Sequence, residues 1–208
     1  MPAPTLVMAT RNPGKVGELK ELLKDTGVTL LSLANFPELP ETPEEGATFA
    51  ENAAAKALAV ARLTKFPALA DDSGLAVDAL SGAPGVFSAR YAQDRTAPRP
   101  PGDADNWRKL LEEMQGVPWE ARTARFVCEI ALALPDGRLF RAHGECEGII
   151  ALSPQGEHGF GYDPVFWVPA YTATMAQLGP AVKNQISHRG RALAAFHDLL
   201  ASVIDELN

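Results

Sequence analysis

The sequence has 208 residues, of which 46% are apolar and 22% are charged, and it contains two cysteines. These values are typical of one globular domain with a buried core, and no run approaches the ~20 apolar residues that a membrane span needs. The formal charge of −7 and the absence of a basic run argue against a non-specific nucleic-acid binder.

The N-terminal part predicts alternating strands and helices. Thr5 to Ala9 is a short apolar strand, and Asn12-Pro13 supplies the N-cap and first-turn proline of a helix that ends at Gly27. Val28 to Leu33 predicts a second strand. Thr48 to Thr64 predicts an alanine-rich helix that begins with a capping box.

The middle of the chain predicts a short buried strand and a long polar loop. The strand, Ala68 to Ala70, ends at the polar segment Asp71-Asp72-Ser73-Gly74. Gln93 to Asp103 is rich in proline, and we expect it to be a mobile loop. A helix from Ala104 to Met114 follows.

The C-terminal part predicts a hairpin and a long amphipathic helix. Arg125 to Leu134 and Leu139 to Gly148 are paired strands joined by a Pro-Asp-Gly turn. The last helix begins near Arg189. Its apolar face contains Leu193, Phe196, Leu200, Val203, Ile204 and Leu207. The predicted fold class is a mixed α/β sheet with flanking helices.

A first candidate site is the strand-to-helix turn from Ala9 to Lys15. The N–H groups at a helix start attract phosphate, and Lys15 adds a positive charge. The turn departs from a Walker A loop because Ala9 replaces the first glycine and Val16 replaces the metal-binding hydroxyl residue. An ordinary capped helix start remains the alternative.

A second candidate is the acidic pair Asp71-Asp72. Successive strand side chains point to opposite faces, so the two carboxylates should have different roles. One could bind a metal ion or activate water, and the other could be held by backbone N–H groups. Glu44 and Glu45 add carboxylates of the kind that Mg²⁺ prefers. The alternative is a solvated turn and a charged loop.

Two further candidates could recognise a base. Gly159 to Pro164 places an aromatic ring between glycines, which suits stacking on a ligand but is also found in turns that cover a core. Lys183, His188, Arg189 and Arg191 form a basic cluster that could donate hydrogen bonds to phosphate or base oxygens. An N-cap at Ser187 followed by a solvated face is the alternative.

Taken together, these segments resemble the inosine triphosphate pyrophosphatase family, the pyrophosphatases of non-canonical purine nucleoside triphosphates. The motifs that carry the resemblance occur in a fixed order along nearly the whole chain. They are Ala9 to Lys15, Glu44 to Asn52, Ala70 to Leu75, Gly82 to Gly85 with Ser88 to Tyr91, Phe160 to Pro164, and Ile186 to Arg189.

The resemblance implies a single domain over residues 1–208, with two lobes around a central active-site cleft, that forms a homodimer. It implies hydrolysis of ITP, dITP and XTP to a monophosphate and pyrophosphate, with Mg²⁺ held by Glu44 and Asp72 and with Asp72 as general base. The implied substrate-binding residues are Thr10, Arg11, Asn12, Pro13, Gly14, Lys15, Ser73, Phe160, Gly161, Tyr162, Asp163, Lys183, His188 and Arg189.

The same resemblance sets the cellular role and the alternatives. The widely spaced Cys128 and Cys146 predict free thiols, and the cytoplasm is the expected location, where the enzyme would remove deaminated purines from the nucleotide pool. Thr96 to Gly102 is a proline-rich insertion relative to the family. A pyrophosphatase for pyrimidine or modified nucleotides is the nearest alternative, and a nucleotide sensor without catalysis is the second.

Overall fold

A computed structural model of the protein describes residues 4–207, without the side chains of residues 198, 199, 201, 202 and 204–207. The strands are β1 Thr5–Met8, β2 Thr29–Ser32, β3 Ala68–Val77, β4 Thr123–Ala133, β5 Leu139–Ile150, β6 Phe166–Val168 and β7 Ala173–Thr174. The helices are α1 Pro13–Leu23, α2 Phe49–Thr64, α3 Gln93–Thr96, α4 Asp103–Glu113, α5 Pro180–Ile186 and α6 His188–Leu207. Short 3₁₀ turns lie between them.

The strands of the described residues form one mixed sheet in the order β2-β1-β3-β4-β5-β6-β7. Strand β1 is parallel to both β2 and β3, with Val7 opposite Leu31 on one side and Ala68 on the other. At the other end of the order, β6 is antiparallel to β5 and β7. The mixed α/β fold class is therefore confirmed.

The chain divides into two compact units. Unit 1 contains residues 1–72, 128–144 and 189–208, and unit 2 contains residues 73–127 and 145–188. Unit 1 has an apolar cluster around Leu19, Leu69 and Phe196 and an alanine-rich cluster in which α2 packs on β1. Unit 2 has its own cluster, around Leu110 and Phe166.

Local signals predicted several element boundaries closely. The side chain of Asn12 accepts a hydrogen bond from the N–H of Lys15, as an N-cap does. Thr48 and Glu51 form the predicted capping box, and α2 ends at Thr64. The cysteines Cys128 and Cys146 are free and buried, as predicted.

Strand β3 corrects the prediction of a short strand from Ala68 to Ala70 and excludes the alternative of a solvated turn at Asp71-Asp72. It runs for ten residues and includes Asp71, Asp72, Ser73 and Gly74. Both aspartates are buried, because their carboxylates bind side chains of other elements rather than solvent. The chain therefore has no need to turn there.

Other differences are smaller. Residues Gln93–Thr96 of the predicted mobile loop form helix α3, with the N–H groups of Arg95 and Thr96 bound to the carbonyl of Ala92. Strands β6 and β7 and helix α5 were not predicted. On α6 the buried face includes Leu193, Phe196, Leu200 and Val203, whereas Ile204 and Leu207 lie outside the described side chains. Within the described part of the chain, no helix is long and apolar enough to span a membrane.

Candidate active site

The turn from Thr10 to Lys15 connects β1 to α1, includes the first three residues of α1 and contains exposed residues. The Thr10 hydroxyl accepts a hydrogen bond from the N–H of Asn12 at 3.2 Å, and the Arg11 guanidinium binds the carbonyl of Leu39 at 2.9 Å. Pro13 occupies the first turn of α1, where a missing N–H costs nothing. The turn thus presents a helix N-terminus to solvent, which suits an anion, whereas the Lys15 side chain is only 15% exposed.

Asp71 is the centre of a buried ion-pair network. Its carboxylate lies 2.6 Å from the Lys15 ammonium and accepts hydrogen bonds at 2.9 and 3.2 Å from the Arg189 guanidinium. The Cys128 thiol donates to the same carboxylate at 2.9 Å. Arg189 also pairs with Glu18 of α1. The network therefore links β3, β4, α1 and α6.

These neighbours fix the protonation of the network. Burial alone would raise the pKa of Asp71, but the charges of Arg189 and Lys15 outweigh it and hold this pKa well below its ordinary value. Burial, with the Asp71 charge, raises the pKa of the Cys128 thiol well above its ordinary value. Asp71 is therefore a charged acceptor and Cys128 a neutral donor, and neither is poised to exchange protons.

Asp72 has a different set of neighbours. Its Oδ1 lies 2.7 Å from the Lys56 ammonium, and its Oδ2 accepts a hydrogen bond from the Asn52 amide at 3.2 Å. Lys56 also pairs with Glu44. One lysine of α2 therefore pairs with two carboxylates, Asp72 from β3 and Glu44 from the loop before α2.

The pKa of Asp72 is raised. Burial is the largest cause, and the charge of Lys56 only partly offsets it. For Lys56, burial lowers the pKa, but Asp72 and Glu44 outweigh it and raise the pKa overall. Of the two adjacent aspartates, Asp72 is thus the one with the stronger proton affinity, which a general base requires.

The pair Glu44 and Asp72 fits a magnesium ion. In the described part of the chain, no group of three or more His, Cys, Asp or Glu side chains is arranged to hold a metal. Mg²⁺ typically binds one or two protein carboxylates and completes its octahedron with water and substrate phosphate oxygens. Two carboxylates that already share one cation match that donor set.

Unit 2 contains a second cluster, formed by the predicted aromatic turn and α5. The Asp163 carboxylate accepts hydrogen bonds from the Lys183 ammonium at 2.6 Å and from the N–H of Phe160 at 2.9 Å. The ammonium lies 4.8 Å from the centre of the Phe160 ring. Asp163 and Lys183 are buried, so their pair fixes the turn and the orientation of the ring.

The rest of this cluster is also held in place. The hydroxyl of Tyr162 donates to the carbonyl of Ser88 at 2.9 Å, and the N–H of Gly161 donates to Asp103 at 2.7 Å. The buried ring of His188 stacks on Phe126, with ring centres 4.9 Å apart and planes 19° from parallel. Unit 2 thus holds a half-buried aromatic ring and buried basic side chains in fixed positions.

Arg189 was predicted, together with His188, to donate a hydrogen bond to the base. The structure instead places Arg189 in unit 1, 1% exposed, with its guanidinium bound to Asp71 and Glu18. A guanidinium that is buried against two carboxylates has its donors directed at them rather than at solvent. We therefore infer that Arg189 supports β3, and its expected contact with the base stays a prediction. Ser73, half-buried on β3, follows Asp72 directly.

Sequence reasoning missed the roles of Asn52, Lys56, Glu18 and Phe126. A signal for two of them exists in α2. Asn52 and Lys56 are polar residues four apart in a helix whose other buried positions are alanine and valine, so they share one face. A polar pair on an otherwise apolar face indicates a buried polar partner. Glu18 and Phe126 carry no comparable signal.

The comparisons with known proteins agree over nearly the full chain. The model of the Ham1 family matches residues 6–199. The dITP/XTP pyrophosphatase of Desulforamulus reducens is 54% identical over 195 residues, 94% of each chain. That of Geobacter sulfurreducens is 52% identical over 195 residues, covering 94% of this chain and 96% of the relative. The structure of a HAM1 protein from Coxiella burnetii has a TM-score of 0.82, 42% identity, and coverage of 98% of this chain and 99% of that one.

The Asp71 network predicts a large effect on stability. Asp71→Asn removes one of the two carboxylates that pair with the buried Arg189, and breaking a buried ion pair costs about 3–5 kcal/mol of unfolding free energy. The control is Glu21→Gln, which removes an exposed pair with Lys24 and should cost at most ~1 kcal/mol. Urea titrations measure both, and equal midpoints for the two variants would contradict the assignment.

The ion pair of Asp71 and Arg189 also predicts how the unfolding free energy changes with pH. Because the folded-state pKa of Asp71 lies below its ordinary value, its contribution is present above about pH 4, the unfolded value, and is lost as the pH falls further. The difference in unfolding free energy between the parent protein and Asp71→Asn should therefore narrow on acidification.

Proposed function

Because this chain belongs to the Ham1 family, we propose that it hydrolyses non-canonical purine nucleoside triphosphates such as dITP, ITP and XTP to a monophosphate and pyrophosphate. The relatives named dITP/XTP pyrophosphatase support the reaction class. The observation that carries the proposal is the buried Asp72 carboxylate, whose pKa is raised and which shares a cation with Glu44.

The turn from Thr10 to Lys15 is proposed to hold the triphosphate. Its N–H groups and the start of α1 offer donors to phosphate oxygens, and the Lys15 ammonium adds a charge next to them. Lys15 is itself anchored by Asp71 at 2.6 Å, so its position is set before substrate arrives. Such preorganised charge is what stabilises a leaving pyrophosphate.

Asp72 is proposed to act as the general base. It accepts a proton from the water whose oxygen attacks the α-phosphorus, while the bond from this phosphorus to the bridging oxygen breaks and pyrophosphate leaves. A bound Mg²⁺ would polarise the phosphate and lower the pKa of the water. Glu44 and Asp72 would hold it, and Lys56 keeps the two carboxylates together.

The cluster of unit 2 is proposed to bind the base. The ring of Phe160 offers a face for stacking, and Lys183 and His188 offer donors for the 6-oxygen of hypoxanthine or xanthine. Adenine carries an amino group at this position, so a donor would face another donor. Tyr162 and Asp163 act by holding the turn.

Three further parts of the proposal rest on the family resemblance. They are Mg²⁺ as the metal ion, a homodimer as the assembly, and the cytoplasm as the place where the protein removes deaminated purines. Size-exclusion chromatography with light scattering tests the second of these directly.

A substrate panel tests the assignment of the base. With Mg²⁺, kcat/KM for ITP and XTP should exceed that for ATP by up to ~10⁴-fold, the discrimination available to a site built on hydrogen bonds. His188→Ala should lower kcat/KM for ITP more than for ATP, because it removes a donor that only the 6-oxygen uses. Equal kcat/KM values for ATP and ITP in the parent protein would contradict the proposal.

Variants of the carboxylates test the chemistry. Asp72→Asn should lower kcat for ITP by at least ~10²-fold, the low end for a lost general base. Glu44→Gln should raise the Mg²⁺ concentration that gives half-maximal activity. Glu45→Gln is the matched control, since Glu45 is the exposed neighbour, and it should leave both quantities unchanged. A Glu45→Gln effect as large as that of Glu44→Gln would reverse the choice of metal ligand.

A further inference from the structure

Asn52 contacts Asp72, one of the two carboxylates that are proposed to hold the metal ion, and the loop that contains the other, Glu44. It is located in the first turns of α2 and is 1% exposed. Its amide nitrogen donates to Oδ2 of Asp72 at 3.2 Å, and its amide oxygen accepts from the backbone N–H of Gly46 at 2.8 Å. One side chain therefore connects strand β3 with the loop that contains Glu44, two residues before Gly46.

The contact with the loop is close. A Cβ atom on Gly46 would lie 2.7 Å from the Asn52 amide oxygen and 2.8 Å from the Cβ of Glu51. No side chain fits there without a shift of the loop or of α2. The absence of a side chain at Gly46 thus lets the loop approach Asn52 closely enough for the hydrogen bond.

The contact is not part of the ordinary N-terminal capping of α2. That task is performed by Thr48, which accepts from the N–H of Glu51, and by Glu51, which accepts from the N–H groups of Ala47 and Thr48. Asn52 adds a separate link, in which its donor and its acceptor are both used. One of its two partners is Asp72 itself, and the other is Gly46, which lies two residues after Glu44.

We propose that Asn52 is a positioning residue that sets the separation of Asp72 and Glu44 and thereby the affinity for the divalent cation. This inference rests on the proposed function insofar as these two carboxylates bind the metal ion. Residues that orient metal ligands without touching the metal typically change its affinity by about 10- to 100-fold when they are replaced. Asn52 acts on both ligands at once, so we expect an effect within that range.

Asn106 provides a matched control. It is also a buried asparagine of a helix, 3% exposed on α4, and it also makes two hydrogen bonds, from the N–H of Ala92 and to the carbonyl of Ala89. Neither of its partners is a carboxylate. Asn106→Leu therefore measures the general cost of replacing such a residue by an apolar one of similar size.

The experiment compares Mn²⁺ binding to nucleotide-free parent protein, Asn52→Leu and Asn106→Leu by electron paramagnetic resonance, together with Tm. We expect both variants to lower Tm, and only Asn52→Leu to weaken Mn²⁺ binding, by roughly 10- to 100-fold. Equal Mn²⁺ affinity in Asn52→Leu and the parent protein would overturn the inference. So would an equal loss of affinity in the two variants.

A second variant covers the case in which Asn52→Leu does not fold. Gly46→Ala leaves the bond between Asn52 and Asp72 available but places a methyl group against the amide oxygen, and it should also weaken Mn²⁺ binding. Unchanged binding in Gly46→Ala would overturn the inference. Because the titration contains no nucleotide, a parent protein that binds Mn²⁺ but fails to hydrolyse ITP would reject the proposed function alone.

Discussion

Two consecutive carboxylates are buried in one strand, and this places a strict electrostatic demand on the surrounding elements. A buried charge is stable only when a countercharge and hydrogen bonds replace the lost water. Asp71 and Asp72 point to opposite faces of β3, so their carboxylates form ion pairs with different cations. Asp71 is matched by Lys15 of α1 and Arg189 of α6, and Asp72 by Lys56 of α2. Three helices thus each contribute a cation to one strand.

The two aspartates have unequal sets of countercharges, and this difference distinguishes a structural carboxylate from the one proposed to take part in the reaction. Asp71 has two cations and a thiol donor, its pKa is depressed, and it holds Lys15 at the start of α1. Asp72 shares its single lysine with Glu44, and its pKa is raised. The carboxylate with the weaker compensation is therefore the one that we propose accepts a proton and contacts a metal ion. An adjacent pair of identical residues acquires two roles from its neighbours alone.

Local sequence patterns predicted the features that depend on contacts between residues close in sequence. The N-cap at Asn12 and the capping box at Thr48 depend on neighbours within three residues, and both are present as predicted. The predicted end of the strand before Asp71 was wrong, because side chains that are distant in sequence replace solvent around this carboxylate. No local pattern contains those side chains. The ion pair of Arg189 could not be predicted for the same reason: its partner Asp71 lies 118 residues away. The positions of the candidate residues along the chain were predictable, whereas the ion pairs that they form with one another were not.

The central claim is that water activated at Asp72 attacks the α-phosphorus, and hydrolysis of ITP in ¹⁸O-labelled water tests it most directly. Attack at that atom places the label in the nucleoside monophosphate and leaves the pyrophosphate unlabelled. Mass spectrometry of both products after a single turnover distinguishes the outcomes. Label in the pyrophosphate would mean that water attacks the β-phosphorus, and label in orthophosphate would mean that it attacks the γ-phosphorus. Either result would contradict this account of the site.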